Sequence, residues 1–413
     1  MRLMGRIETV SILSTMSGMM MLLTMCGLKD LGGPERPDGP QPDIPPEETQ
    51  DTLYITGVEY PAGYDWVKDV EYGTVACSLF VEKEGKRVLE VPVGYFYQTA
   101  SDPDMHRLVG GHLYTDFSSD TETVIKKDGR TLFRYPGREM ILSFFVSDSG
   151  DVYTVGESRS GDRGFVMRRN GEAVLETGSG YPVSEIMDAD GTVCLVYRSL
   201  SSGDMSGGGG YYIFRDGVQE PLEAAGEGCE VTDAAYARDG LCYVAECPGK
   251  SMQDGYVALI TGTGTYPLES GMYGTPSGCK ILCDGKDICI SGYCRRHDGG
   301  GYIYAAWDSS GRMLYALSPG VYPYYSFVDH GDVYDLVSAA SPFDMTVCYK
   351  NGALLYTYGR GAAFYSSIPS VMLRGSLYTV FSDRESSGCP SLAVGGEIAG
   401  RPFNGYFTGV SAW

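Results

Sequence analysis

Aromatic side chains in short segments that contain Pro and Gly are the residues of this sequence best suited to bind a ligand. Tyrosine occurs 32 times in 413 residues, often in segments such as SGMYGTPSG and SPGVYPYYS. A tyrosine offers a flat apolar ring and a hydroxyl, which suits sugars and peptides alike. The alternative is that these rings pack between strands. The candidate ligand-binding residues are Tyr181, Tyr273, Tyr322, Tyr324, Tyr325, Phe364 and Tyr365, with Arg295, Arg296, His297 and Asp298 of the loop CRRHDGGG.

Residues for catalysis are fewer. The chain has four histidines and no nucleophile elbow, phosphate-binding loop or HExxH pattern. Aspartates in Gly-rich loops are candidates for the paired carboxylates of a glycosidase, but aspartate beside glycine is more typical of a turn. We therefore predict a non-catalytic binding protein without a cofactor; the alternative is a glycoside hydrolase or polysaccharide lyase. The loop aspartates are Asp162, Asp204, Asp254, Asp298 and Asp344.

Cysteine accounts for 12 residues, and 11 of them follow Cys26, an odd number that argues against a fully paired disulfide framework. The densest group is Cys279, Cys283, Cys289 and Cys294. Its spacing does not match a zinc site, and the segment predicts a β-hairpin that turns at Asp284-Gly285, so we predict no metal. An isolated disulfide is expected within this hairpin or between Cys242 and Cys247.

The formal net charge is −21 and the isoelectric point is near 4.6. Such a surface repels phosphate backbones and anionic lipid head groups. The charge therefore excludes nucleic acid as an expected partner.

An internal repeat indicates the architecture that positions these loops. Residues 150–180 and 331–361 align without a gap, and each copy opens with GDVY and carries Asn-Gly at the same offset. Weaker copies begin at Gly111, Gly191, Gly240, Gly285 and Gly375, with spacings of 39 to 49 residues. A period near 45 residues is typical of a four-stranded propeller blade.

Each unit contains four predicted strands. The third and fourth are joined at Asp128-Gly129, Asn170-Gly171, Asp216-Gly217 and Asn351-Gly352, which favour type I′ turns. The chain begins its repeats on a second strand, DTLYITG, and ends on a first strand, NGYFTGVSAW, so the two ends would complete one blade. We predict an all-β propeller of four-stranded antiparallel blades, closed by the C-terminal strand; eight blades are favoured and seven are the alternative.

The amino-terminal segment has the features of an export signal. An uncharged stretch over 10–25 follows Arg2 and Arg6, and Leu23-Thr24-Met25-Cys26 resembles a bacterial lipobox. We predict a signal peptide over 1–25, a lipidated Cys26 with an acidic Pro-rich tether over 26–50, and the propeller over 51–413. A plain signal peptide or an uncleaved anchor is the alternative.

Lipobox, acidic tether and GDVY repeats together resemble the uncharacterised β-propeller lipoproteins of the Bacteroidetes cell envelope. The resemblance implies an outer-membrane address, on the cell surface or the periplasmic side, with contact to the membrane through the lipid alone. It implies no specific activity. The predicted partner is a glycan or protein ligand at the envelope, and a scaffold subunit of an envelope complex is a further alternative.

The lipidation hypothesis predicts the effect of Cys26→Ala. Loss of the only acylation site in the lipobox should shift the protein from the membrane pellet to the soluble fraction, because no other predicted element holds it at the membrane. Fractionation of cells that express each form checks this expectation. An unchanged distribution would contradict the lipobox hypothesis.

Overall fold

The structure, a computed structural model, describes residues 52–66, 75–93, 106–118, 121–137, 139–147, 149–158, 164–188, 190–200, 209–222, 228–238, 240–249, 255–337, 345–360, 362–364, 366, 368–383 and 389–412. The predicted signal peptide, Cys26, the tether and Tyr365 lie outside these ranges. All the regular structure of the described residues is β, and none of it forms a helix long and apolar enough to cross a membrane.

The strands form eight sheets, which are the eight blades of a propeller. Each blade is antiparallel; seven blades have four strands, and the sheet of blade 8 has five. Blade 1 is the exception in sequence order, because it joins β33 (Gly405–Ala412) to β1 (Leu53–Glu59), β2 (Cys77–Lys83) and β3 (Lys86–Val93). The predicted blade count of eight is therefore confirmed.

Blades 2 to 4 follow in chain order. Blade 2 contains β4 (His106–Val109), β5 (His112–Ser118), β6 (Glu122–Lys127) and β7 (Arg130–Pro136). Blade 3 contains β8 (Glu139–Val146), β9 (Val152–Ser158), β10 (Phe165–Arg169) and β11 (Glu172–Glu176). Blade 4 contains β12 (Gly180–Met187), β13 (Val193–Leu200), β14 (Gly209–Arg215) and β15 (Val218–Pro221).

Blades 5 to 8 complete the ring. Blade 5 contains β16 (Glu230–Ala237), β17 (Gly240–Cys247), β18 (Tyr256–Thr261) and β19 (Gly264–Pro267). Blade 6 contains β20 (Tyr273–Cys283), β21 (Ile288–Arg296), β22 (Tyr302–Asp308) and β23 (Met313–Ala316). Blade 7 contains β24 (Tyr325–Asp329), β25 (Asp332–Val337), β26 (Met345–Lys350) and β27 (Ala353–Arg360). In blade 8, β28 (Ala362–Ala363) and β29 (Ser370–Leu373) both pair with β30 (Ser376–Asp383), followed by β31 (Cys389–Val394) and β32 (Glu397–Gly400).

The repeated GDVY and Asn-Gly motifs hold two turns of one blade together. Asn170 and Gly171 have φ of 52° and 88°, as a type I′ turn requires. The Asn170 side chain accepts a hydrogen bond from Val152 N–H (2.9 Å) and donates one to Asp151 (2.6 Å). Asn351 contacts Val333 and Asp332 in the same way in blade 7. The motif is repeated because its hydrogen bonds hold the same two turns together in each of these blades.

Apolar side chains fill the space between blades. Each of the eight blade-to-blade interfaces contains at least one cluster of buried apolar residues, and the clusters alternate with the sheets around the ring. Trp307, fully buried between blades 5 and 6, donates its indole N–H to the Glu269 carbonyl over 2.7 Å. The propeller core is thus a series of packed interfaces between neighbouring sheets.

Two buried aspartates add polar links across these interfaces. Asp233 accepts hydrogen bonds from Ser184 Oγ of blade 4 (2.6 Å) and from Ile281 N–H of blade 6 (2.9 Å). Asp335 of blade 7 accepts one from the Tyr315 hydroxyl of blade 6 over 2.5 Å. Burial raises the pKa of Asp335, while its hydrogen-bond donors lower it. Each carboxylate is satisfied by partners on neighbouring blades.

The ring closes through the two ends of the repeat region. β33 pairs antiparallel with β1, from Leu53 opposite Ala412 to Glu59 opposite Gly405. Asn404 extends the contact, because its side-chain amide donates to the Pro61 carbonyl over 2.7 Å. The predicted closure by the C-terminal strand is therefore confirmed.

A single added methyl group should disturb this closure. A Cβ on Gly405 would lie 1.8 Å from the Val58 carbonyl oxygen, a backbone atom that no side-chain rotation can move. We expect Gly405→Ala to lower the free energy of unfolding by about 1–3 kcal/mol or more, as overpacked sites do. The matched control is Gly178→Ala, where a Cβ meets no atom within 4 Å. Equal melting temperatures for the two variants would contradict the closing role of this contact.

Candidate functional site

The antiparallel blades give the propeller two unlike faces. Tight turns between first and second strands and between third and fourth strands lie on one face, which we call the turn face. The blade-to-blade connections and the loops between second and third strands lie on the other, which we call the connection face. The predicted ligand-binding residues that the structure describes belong to segments of the connection face.

Three of the predicted ligand-binding aromatic residues are packed between blades 7 and 8. Phe364 is buried, and its ring stacks on Tyr324 with the centroids 5.4 Å apart. Tyr325 packs against the same apolar cluster, and burial raises its pKa. The structure thus shows packing between strands, the alternative to ligand binding, for Tyr324, Tyr325 and Phe364. Their rings are covered by neighbouring apolar side chains.

The second group of candidates lies on blade 6. Tyr273 begins β20 opposite Arg296 and packs on the core between blades 5 and 6. Tyr322 is 41% exposed and donates its hydroxyl to the Tyr302 carbonyl over 3.1 Å. Asp298 accepts from Gly300 N–H (2.8 Å) and forms an ion pair with Arg296, and both contacts lower its pKa. Asp298 therefore closes its own turn, while Arg295 and His297 are exposed beside it.

Tyr181 has polar partners on two neighbouring blades. Its hydroxyl accepts a hydrogen bond from Arg198 of β13 (3.2 Å) and donates one to Glu230 of β16 (3.3 Å). The guanidinium of Arg198 also lies over the Tyr211 ring, 5.4 Å from its centroid. A chain of polar contacts thus crosses from blade 4 to blade 5 on the connection face.

Two glutamates are register partners at the end of this chain. Glu230 and Glu246 are direct partners across the β16–β17 pair. Glu230 is exposed, whereas Glu246 is half-buried and accepts a hydrogen bond from Gly278 N–H of blade 6 over 2.9 Å. Burial raises the pKa of Glu246, the Glu230 carboxylate raises it further, and the Gly278 amide opposes both. We call Tyr181, Arg198, Tyr211, Glu230 and Glu246 the glutamate-pair site.

A disulfide fixes the two strands beside this pair. Cys229 bonds to Cys247, one position beyond Glu230 and Glu246 on each strand, and closes a loop with a sequence separation of 18 residues. A loop of this size corresponds to a stabilisation of about 3 kcal/mol in the chain-entropy treatment. The site is therefore held by a covalent bond at the rim of blade 5.

The predicted disulfides were wrong in their partners. Cys247 pairs with Cys229, and Cys242 is a free thiol. Cys242 and Cys247 lie on one strand, where five residues span about 16 Å at the usual rise, too far for a bond. The predicted hairpin of β20 and β21 is confirmed, but its four cysteines, Cys279, Cys283, Cys289 and Cys294, are also free thiols.

These thiols are parts of the core. Burial raises the pKa of Cys283 to about 11 and that of Cys289 to about 12. A thiol with so high a pKa is a poor nucleophile or metal ligand at neutral pH. Within the described ranges no group of three or more His, Cys, Asp or Glu residues is placed to hold a metal ion.

Tyr181 was among the predicted ligand-binding residues, whereas its four companions in the glutamate-pair site were not predicted. Arg198, Glu230 and Glu246 lie within two residues of a strand end and belong to no motif, and Tyr211 is the third residue of β14. They come together because blades 4 and 5 are adjacent and because β17 returns beside β16. The available signal for the site was that the two glutamates are partners across adjacent strands. Recognising it required the correct register of the β16–β17 hairpin.

Comparison with known proteins gives similarity of fold alone. No protein-family model and no curated protein matches the chain. Among solved structures, a prolyl endopeptidase studied for its inter-domain dynamics matches at 12% identity with a TM-score of 0.46, over 74% of this chain and 49% of that one. The β-propeller domain of the trilobed protease from Pyrococcus furiosus matches at 15% identity with a TM-score of 0.41, over 67% and 84% of the two chains.

TolB from Acinetobacter baumannii matches at 13% identity with a TM-score of 0.34, over 87% of this chain and 82% of that chain. This chain spans about half the length of the prolyl endopeptidase. The propeller fold is established by the sheet order and the closure of the ring.

Tyr322 and Tyr324 differ in burial, so replacing each with alanine should lower the free energy of unfolding by different amounts. Tyr324→Ala should lower the free energy of unfolding by about 3 kcal/mol, because it removes a ring stacked on buried Phe364. Tyr322→Ala, at an exposed position, should cost less than about 1 kcal/mol. Chemical denaturation of the two variants measures both values. Equal losses would contradict the division of this segment into a packed and an exposed tyrosine.

Proposed function

We propose that this protein is an exported, lipid-anchored propeller that binds a protein or glycan partner through the glutamate-pair site on its connection face. One observation carries the proposal: the hydrogen-bonded chain from Arg198 through Tyr181 to Glu230, which joins two blades and presents donors and acceptors at the surface. Polar groups held in fixed positions on a rigid scaffold are what a specific binding site requires.

The export part of the proposal has support from two independent features. The uncharged stretch over 10–25 and the lipobox that ends at Cys26 are typical of a bacterial lipoprotein precursor. The Cys229–Cys247 disulfide is of the kind that forms and persists in oxidising compartments such as the periplasm. Both features favour an address in the cell envelope, where the partner would also lie.

The proposal predicts that Tyr181→Phe weakens partner binding without weakening the fold. The change removes the hydroxyl that links Arg198 to Glu230 and keeps the ring. The signal on a glycan array and the yield of cross-linked envelope proteins should fall at least about fivefold, as loss of one hydrogen bond to charged groups does. The thermal melt should stay within about 1 °C of the parent.

Tyr378→Phe is the matched control, because Tyr378 is a half-buried tyrosine at the turn-face end of β30. The control should leave ligand binding unchanged. Equal binding by parent and Tyr181→Phe would place the partner elsewhere. Suppose that the parent releases reducing sugar from envelope polysaccharide and that the double variant Glu230→Gln, Glu246→Gln does not. The glycosidase alternative would then replace the proposal of binding alone.

A further inference from the structure

We propose that blade 6 carries a second binding site, which holds the sugar rings of a polysaccharide that contains uronic acids. The site consists of the exposed tyrosines Tyr302 and Tyr322, the supporting ring of Tyr293, and Arg295, and we call these four residues the aromatic platform. It shares no residue with the glutamate-pair site, so the two proposals stand independently.

The platform presents two partly uncovered tyrosine rings. Tyr302 is 47% exposed and Tyr322 is 41% exposed. The Tyr322 hydroxyl donates to the Tyr302 carbonyl over 3.1 Å, and the Tyr322 ring packs on Tyr293 with the centroids 5.9 Å apart. Tyr293 packs in turn against the edge of buried Tyr304, 5.7 Å away. Tyr322 is therefore held by both its ring and its hydroxyl, which reduces the entropy that binding would cost.

An exposed arginine lies on the same side of the blade 6 sheet. Arg295 is the register partner of Tyr302 across β21 and β22. Register partners in an antiparallel pair project to one side of the sheet, with Cβ atoms about 4.5–5.5 Å apart. Arg295 makes no ion pair with any residue in the described ranges, whereas the adjacent Arg296 is paired with Asp298. A guanidinium beside an aromatic ring suits a ligand that carries a carboxylate on an apolar ring.

The strand edge beside Tyr302 is closed to an extended peptide. A peptide that adds to a sheet uses the unpaired carbonyl and amide groups of an edge strand. Here the Tyr302 carbonyl accepts the Tyr322 hydroxyl, and the Tyr304 carbonyl accepts Leu317 N–H over 2.8 Å. The platform therefore offers side chains to a ligand, which favours sugar rings over a peptide strand.

The net charge of −21 determines how an anionic sugar must be held. The field of the whole chain repels polyanions, but charges more than about 8 Å apart are largely screened at physiological salt. A carboxylate in contact with Arg295 is therefore governed by that contact, and bidentate bonds to arginine are among the strong ones. A neutral sugar would leave Arg295 unused, and a polyphosphate would gain nothing from the tyrosine rings.

The test uses the propeller with its disulfide intact and defined probes. The probes are the hexasaccharides of galacturonic acid and of mannuronic acid, each with its methyl ester as a neutral twin. Calorimetric titration at physiological salt should detect at least one of the acids, with an affinity at least about tenfold above that of its ester. No detectable binding of either acid would overturn the proposal.

Two substitutions separate the charge of the platform from its rings. Arg295→Gln should weaken binding of the acidic hexasaccharide at least about tenfold, because it removes the bidentate contact. Tyr302→Ala should weaken it at least about threefold, because it removes a stacking ring. Both melting temperatures should stay within about 2 °C of the parent, since both side chains are exposed. Unchanged affinity in either variant would overturn the proposal.

Each substitution has a matched control in the same chain. Tyr256→Ala removes a 41% exposed ring at the start of the third strand of blade 5, the position that Tyr302 occupies in blade 6. Arg130→Gln removes an exposed arginine from the turn face of blade 2. Both controls should change the affinity less than about twofold, because distant charges are screened. Equal losses in a variant and its control would show a general attraction and contradict a site on the platform.

A hexaglutamate peptide distinguishes a sugar from an acidic protein. It matches the hexasaccharides in carboxylates but has no sugar rings, so it should bind at least about tenfold more weakly than the acidic hexasaccharide. Hexaglutamate that binds equally well, with an affinity indifferent to Tyr302→Ala, would assign Arg295 to an acidic peptide and overturn the glycan proposal. The role of the glutamate-pair site would be unaffected, because Tyr181 lies outside the platform.

Discussion

The pairing of β33 with β1 is the interaction on which the rest of the propeller depends. The two strands come from opposite ends of the repeat region, more than 340 residues apart in sequence. Each blade buries its apolar side chains only against its two neighbours, so a ring without this contact would have two uncovered sheets. Bringing such distant segments together costs entropy only logarithmically in chain length. Burial of the facing sheets of blades 8 and 1 is the gain.

The glutamate-pair site and the hydrogen bonds of Asp233 involve the same three blades. Asp233 joins blades 4, 5 and 6 through Ser184 and Ile281, in the interior of the first strands. On the connection face, Tyr181 and Gly278 reach the glutamate pair from the same blades 4 and 6. The site is thus built over an interface with fixed blade spacing, which lowers the cost of holding its side chains in place.

The fold was predictable from the sequence because it is local and repeated. Asn170-Gly171 and its counterparts specify turns of one type, and the unmatched strands at the two ends specify closure. The disulfide and the glutamate pair were not predictable in this way. Counting back from the tight turn at Ala237 and Gly240 places Glu230 opposite Cys247, but a bulge between Val231 and Asp233 shifts the register by one. A one-residue shift in a strand changes every later partner.

The position of β1 determines how the propeller responds to a pulling force. Any pull transmitted through the residues before Leu53 enters the ring at β1, which is paired along its length with β33 on one side and β2 on the other. The inter-strand hydrogen bonds are perpendicular to the strand, so a force along β1 loads both rows in shear. Bonds loaded in parallel share the force, whereas an edge strand pulled sideways gives way one bond at a time. A propeller tethered through this strand would resist detachment by flow or by a pulling partner.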